Sequence, residues 1–363
     1  MADFRSDTVT QPCAAMRRAM HDAELGDDVF NDDPTTLELQ RYAAELLGFE
    51  AALFAPSGTQ TNLIAMMSHC QRGDEAIVGQ QWHTYKWEGG GMAVLGSVQP
   101  QPLELQADGT LALSDIAGAI KPDDPHFART RLIVIENTVG GKVLPLSYMR
   151  DVATLAREKG LKCHIDGARL MNAAVALASE HQLSPQEMAR ELCQGYDSVS
   201  LCLSKGLGCP VGSLLLGSKE FIQQAKRVRK MLGGGMRQTG VLTAAGLYAL
   251  HHNIERLADD HANARYLADG LTELARELQT LQSLTVIAPQ TNIVFTDIAP
   301  ALADRLLPYL AEHGIKVTAS RYQATQGALM RLRWVCHLDI SRQQITETLT
   351  LIRQFAQEVS LVK

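Results

Sequence analysis

SVSLCLSKGLGCPVG, residues 198–212, reads as a short apolar strand that ends on one lysine and runs at once into glycines. Val199, Leu201 and Leu203 recur with period two, which predicts a buried strand delivering Lys205 to its carboxyl end, where open α/β sheets place ligands. A lysine there is costly unless it is used. Desolvation lowers its pKa, and an uncharged amine is a nucleophile able to form an imine with an aldehyde. The plain alternative is a loop lysine reaching solvent. Weighing against it is LKCHIDGARL, residues 161–170, a second strand-like run that ends on an acid, Asp166.

Outward from this pair, the chain alternates strands and helices. Ala51 to Ala55 is a short strand, Pro56-Ser57-Gly58 a turn, and Thr59 to about His69 a helix. EAIVG (75–79) and RLIVIENT (131–138) are further strands, the latter so continuously apolar that both its faces must be covered. LPLSYMRDVATLAREKG is a helix ended by Gly160, and a capping box at Ser184-Pro185-Gln186-Glu187 starts another. A helix N-capped by Ser114 is also expected. This order predicts an α/β fold with a doubly wound, mainly parallel sheet flanked by helices. After about residue 250 the units become shorter and of α+β type. The expected organisation is an N-terminal arm (1–34), a large domain (35–249) and a small C-terminal domain (250–363).

Composition narrows the function. With 363 residues, 46% hydrophobic and 20% charged, the chain can bury a large core. A net charge of −6 gives no basic field for nucleic acid. The exception, KRVRK at 226–230, reads as the solvated face of a helix. No apolar run is long enough to span a membrane, and MADFRSDTVT is no signal peptide, so a cytoplasmic protein is expected. Cysteines 13, 70, 163, 193, 202, 209 and 336 form no C-x-x-C pair and read as small buried hydrophobes in a reducing compartment.

Several residues carry chemistry. Ser57, Gly58 and Thr59 open a helix, where free backbone N–H groups and the dipole favour an anion such as phosphate; an ordinary N-cap is the bland reading. His83 stands in an aromatic loop before a glycine triplet, where an imidazole could stack on a ring and carry a proton. His126 lies on a Pro- and Asp-rich loop, where binding residues tend to sit. GLGCPVG has the wrong spacing for a dinucleotide fingerprint, and GSLLLGSK lacks the ending of a Walker A loop. His251, His252 and His261 lack a further ligand at sensible spacing, so no metal site is expected. A strand ending in Asp166 and another leading to Lys205 match how a pyridoxal phosphate is held, between an amine at one end and a carboxylate at the other.

Together RSDTVT, GDDVF..DDPT, PSGTQTN, H-x-Y-x-x-EGGG, IENT, HIDGAR, SLCLSKGLG-P-VGS, GGGMRQ and the late R-W-V-C-H-L-D, in that order, closely resemble the L-threonine aldolase family. The likeness spans residue 4 to about 340. It implies an aspartate-aminotransferase-like large domain and pyridoxal 5'-phosphate as cofactor. It also implies retro-aldol cleavage of L-threonine or L-allo-threonine to glycine and an aldehyde such as acetaldehyde. Alternatives are a phenylserine-preferring aldolase or another pyridoxal-phosphate lyase or transaminase.

The resemblance also implies roles. Lys205 would hold the cofactor's aldehyde carbon and Asp166 its ring nitrogen, with Ser57, Gly58 and Thr59 on the phosphate and Arg237 as a further phosphate contact from the same or a neighbouring subunit. Ser6, Arg169 and Arg333 would bind the substrate carboxylate, Arg331 being the rival to Arg333. His83 and His126 would surround the β-hydroxyl, with the taker of its proton left open between them and a bound water. A homotetramer, or at least a dimer with shared sites, is implied. Phe30 replaces a frequent tyrosine, Val139-Gly140-Gly141 a frequent His-Asn, and Trp87 is bulkier than expected near the aldehyde pocket.

Overall fold

Among the described residues, seven strands pair into one sheet: β1 (Ala51–Ala55), β2 (Asp74–Gly79), β3 (Gln99–Leu103), β4 (Arg129–Glu136), β5 (Lys162–Gly167), β6 (Ser198–Cys202) and β7 (Ser213–Gly217). Their spatial order is β1-β7-β6-β5-β4-β2-β3. From β6 to β3 every pairing is parallel, while β7 runs antiparallel to both its neighbours, β6 and β1. Every residue of β6 and β7 is buried, as expected of strands covered on both faces. The expected α/β class is therefore the observed one. The chain is seen as a computed structural model that describes residues 1–324 and 327–361.

Those residues form two compact units, Pro12–Glu255 and a second made of Met1–Gln11 with the chain from Arg256 onward. The stretch read as one arm is thus divided between them. In the smaller unit a four-stranded antiparallel sheet, ordered 318–324, 327–335, 293–298, 285–287, carries helices Leu257–Glu277, Pro300–Glu312 and Arg342–Leu361. Ala2–Asp3 pairs in parallel with Ile315–Lys316. Phe4, fully buried, meets Trp334 edge-on with ring centroids 5.6 Å apart, a favoured aromatic geometry. So the amino terminus fills this unit's core.

Two local expectations need correction. The helix at 113 is N-capped by Ala112, not Ser114, whose hydroxyl instead faces Asp115 at 3.3 Å. KRVRK is not wholly solvated. On helix Lys219–Met231, Ile222, Ala225, Val228 and Arg229 are buried, because spacings of three and four residues bring them to one face. Arg229 meets Asp28 at 2.6 Å and donates to the Phe54 carbonyl at 2.6 Å.

Candidate active site

Asp166 and Lys205 emerge from the carboxyl ends of adjacent parallel strands. Asp166 is in β5, in register with Ser200 of β6, and Lys205 follows the last residue of β6 by three positions. The charges of both bear on His83 and on Glu136. Asp166 is 1% exposed and both its oxygens are held: Oδ1 accepts from the Ala168 N–H at 3.1 Å and Oδ2 from the Asn62 amide at 3.0 Å. Behind it no side chain fits at Gly167, where a Cβ would stand 2.7 Å from the Ser200 carbonyl.

His83 reaches the same place from the other side. Its backbone N–H donates to Glu136 at 2.5 Å, and Glu136 ends β4 opposite Asp166 in the sheet register. Its ring Nδ1 meets Glu88 Oε1 at 2.9 Å. Glu88 can turn back because Gly89 and Gly90 both take positive φ, 62° and 71°, a conformation that costs glycine little. A ring nitrogen of His83 and carboxylate oxygens of Glu88 and Asp166 all lie within 4.8 Å of one another. The Glu88 hydrogen bond raises the His83 pKa, burial raises that of Glu88, and burial, reinforced by the Asp166 charge, pushes Glu136 up to about 8. Burial therefore favours the protonated form of Glu136 at neutral pH. Such perturbed groups mark functional sites more often than chance.

The anion site lies at the start of helix Gly58–His69, the same helix that carries Asn62. Ser57 is its N-cap and accepts from the Gln60 N–H at 3.2 Å. Among the described residues, Ser213 Oγ is buried without a hydrogen-bond partner, 3.5 Å from where a Gly58 Cβ would stand. An unused hydroxyl beside free helix N–H groups is a donor set suited to phosphate. Asn62 lies one turn beyond Gly58, so one helix face presents both the anion site and the support of Asp166. The residues present fit a pyridoxal phosphate.

The remaining candidates sit as follows. Arg169 is the N-cap of helix Leu170–Ala178, three residues after Asp166. Arg237 pairs with Asp27 at 3.2 Å, about half exposed. In the smaller unit, Arg333 donates to the Arg5 carbonyl at 2.9 Å, next to Ser6, whose Oγ caps the short 7–9 helix. Arg331 is already held bidentately by Asp297 at 2.8 and 2.7 Å, with Tyr322 under its guanidinium. His126 is not brought to the cluster within this chain. Its side chain is 86% exposed and bonded to Asp124, and it precedes β4, whose other end is Glu136. Eight residues of strand span roughly 25 Å. Asn62, Glu88 and Glu136 went unnoticed in the sequence, although Glu88 lies inside the EGGG motif and Glu136 inside IENT.

Residues 3–299 match the family described as beta-eliminating lyase. The chain is 50% identical over 355 residues to the low specificity L-threonine aldolase of Escherichia coli O157:H7, covering 98% of this chain and 99% of that one. It is 45% identical over 348 residues to the probable low-specificity L-threonine aldolase 2 of Arabidopsis thaliana, covering 93% and 92%. Among solved structures, the Leishmania major threonine aldolase superposes with a TM-score of 0.78 at 20% identity, covering 98% of this chain and all of that one. A Sphingomonas wittichii serine palmitoyltransferase does so at 0.73 and 17%, covering 99% and 88%.

Proposed function

The chain belongs to the beta-eliminating lyase family, and from that premise we propose that it is a low-specificity L-threonine aldolase, cleaving L-threonine and L-allo-threonine to glycine and acetaldehyde. The threonine aldolase relatives span nearly its whole length. Pyridoxal phosphate, held by Lys205, Asp166, Ser57, Gly58 and Thr59 with Arg237 of the same or a neighbouring subunit, would supply a sink for the electron pair released when Cα–Cβ breaks.

The rest is the work of this chain. Arg169, Arg333 and Ser6 bind the substrate carboxylate and so fix the torsion about Cα, a matter of orientation. Guanidinium forks suit a carboxylate better than an ammonium does. His83 has its Nδ1 tied to Glu88, which leaves Nε2 to meet the β-hydroxyl. That hydroxyl loses its proton as the aldehyde departs, and Cα gains one to become that of glycine. Any part played by His126 comes from a neighbouring copy. Exposed apolar side chains at Phe30, Trp87, Val94, Leu95 and Met231 support a homo-oligomer, taken as a tetramer acting in the cytoplasm.

The observation that carries the reading is that Asp166 and Lys205 leave the carboxyl ends of adjacent parallel strands, with His83 and Glu88 gathered within 4.8 Å of the Asp166 carboxylate. The test is product analysis with each β-hydroxy amino acid diastereomer. Equimolar aldehyde and glycine are expected, and Lys205→Ala abolishes both the product and the visible absorbance of bound cofactor. Keto acid or ammonia as the main product overturns the assignment.

A further inference from the structure

A polar seam runs under helix Gly58–His69 from the candidate site towards the amino-terminal ends of the central strands β5 and β6, and nothing in the proposed reaction uses most of it. Asn62 and His69 are seven residues apart, two helical turns, so they face the sheet together. His164 and Asp166 are two apart on β5 and point to one side. Ser198 of β6 is the register partner of His164. The two periodicities superpose into a continuous chain of contacts. Asn62 Nδ2 meets Glu88 Oε1 at 2.8 Å and Asp166 Oδ2 at 3.0 Å; Asn62 Oδ1 meets His164 Nε2 at 3.2 Å. His164 Nδ1 meets Ser198 Oγ at 2.8 Å, and Ser198 Oγ meets His69 Nε2 at 2.7 Å. Asn62, His164 and Ser198 are all at most 2% exposed.

The direction of every bond follows from its ends. Two carboxylate oxygens on one amide atom require that atom to be the nitrogen, the only donor Asn offers. Asn62 Oδ1 then accepts, so His164 must carry its proton on Nε2. Its bare Nδ1 accepts from the Ser198 hydroxyl, whose oxygen accepts from His69 Nε2–H. Each link donates towards Asp166. Burial pushes the pKa of His69 down to about 4 and that of His164 to about 3, so both rings stay neutral, as single tautomers require. His69 is further fixed by stacking on Phe221, centroids 4.3 Å apart at 16°.

Without His164 the Asn62 Oδ1 loses its donor, and the amide, held through Nδ2 alone, is free to swing about its side-chain torsion. We propose that His69, Ser198 and His164 are positioning residues that lock Asn62, and through it Asp166 and Glu88, in the one orientation that presents Asp166 to the cofactor ring. This rests on the reading of Asp166 as the partner of that ring, but the tautomers do not, so the two can fail separately. The amide in the middle cannot pass a proton on as a water or hydroxyl does. The seam is an orienting device and not a proton wire.

The test begins with the cofactor-free protein. Nitrogen-15 NMR of its histidines is expected to give His164 and His69 as neutral Nε2–H tautomers across the neutral pH range. An Nδ1–H tautomer at His164, or a mixture, overturns the proposal whatever the cofactor does. The second arm titrates pyridoxal phosphate into two variants. His164→Gln keeps an amide N–H for Asn62 and is expected to hold the cofactor within about threefold of wild type. His164→Leu removes that donor and should weaken binding about tenfold, the size of one hydrogen bond. Equal affinities for the two variants, at either level, overturn the positioning role; should the leucine variant not fold, the tautomer measurement decides. Correct tautomers together with no cofactor binding by wild type would instead sink the assignment of Asp166.

Discussion

Arg229 Nη2 and a carboxylate oxygen of Asp28 stand 2.6 Å apart, with their side chains only 6% and 7% exposed. The pair joins the GDD turn to helix Lys219–Met231. Burial raises the Asp28 pKa, against the opposing pull of the arginine. Taking away the cation leaves a carboxylate buried alone, which is far more costly than losing a surface pair. Arg229→Met should therefore destabilise the protein by about 3–5 kcal/mol, and adding Asp28→Asn should return part of that. Urea unfolding of the single and double variants measures it. A double variant no more stable than Arg229→Met would mean that the arginine acts by its bond to the Phe54 carbonyl and not by its charge.

Glu136 makes stability depend on pH in a direction opposite to most carboxylates. Burial lifts its pKa from 4.5 to about 8, so the folded protein binds a proton that the unfolded chain has lost between those values. Its contribution is fully present below pH 4.5 and is lost as pH rises towards 8, with a slope of at most about 1.4 kcal/mol per pH unit. Glu136→Gln cannot lose it. In cofactor-free protein, wild type should weaken relative to the variant between pH 5.5 and 8. Parallel unfolding curves at the two pH values would show that Glu136 is ionised throughout.

How far these sites could be read from the sequence depends on the range of the interaction. Apolar periodicity and glycine punctuation are local, and they located β1 (Ala51–Ala55) to the residue and the helix opened at Ser184 with its capping box. Lys205 and Asp166 were legible because each stands close to the carboxyl end of a buried strand, Asp166 as the next-to-last residue of β5 and Lys205 three past the end of β6. Asn62 was not, because its partners lie 26 and 104 residues away and its own helix reads as one buried over most of its length, Thr61 to Met66. Glu136 was hidden differently: as the last letter of an apolar strand it looked like the strand's exit to water. Arg229 was misread because a basic run suggests solvent, and only packing decides which of five residues turns inward.

Two arginines two residues apart on one strand should respond differently to mutation. Arg331 is already engaged by Asp297 and Tyr322, whereas Arg333 is assigned to the substrate. Arg331→Ala should cost about 1–2 kcal/mol of stability, since Asp297 loses a bidentate partner, and should leave KM within about threefold. Arg333→Lys should leave stability nearly unchanged and raise KM tenfold or more, because an ammonium cannot reproduce the fork. Thermal melts and steady-state kinetics on both variants separate the roles. The reverse pattern would move the carboxylate contact to Arg331.

His126 poses the sharpest question about assembly. It sits before β4 (Arg129–Glu136), while the cluster lies beyond that strand's far end, so within one chain its imidazole is roughly a strand length from His83. A role at the β-hydroxyl then requires a second copy, and that can be tested by mixing. Lys205→Ala alone should be inactive, and His126→Ala alone should have an altered preference between threonine diastereomers. In hybrids of the two, an active site with Lys205 can face an intact His126 from its neighbour, and the wild-type preference should return in part. Reassembled mixtures, assayed with L-threonine and L-allo-threonine separately, give the ratio directly. If hybrids keep the ratio of the His126→Ala enzyme, the histidine does not act across subunits, and with no path to the hydroxyl in its own chain it drops out of the site.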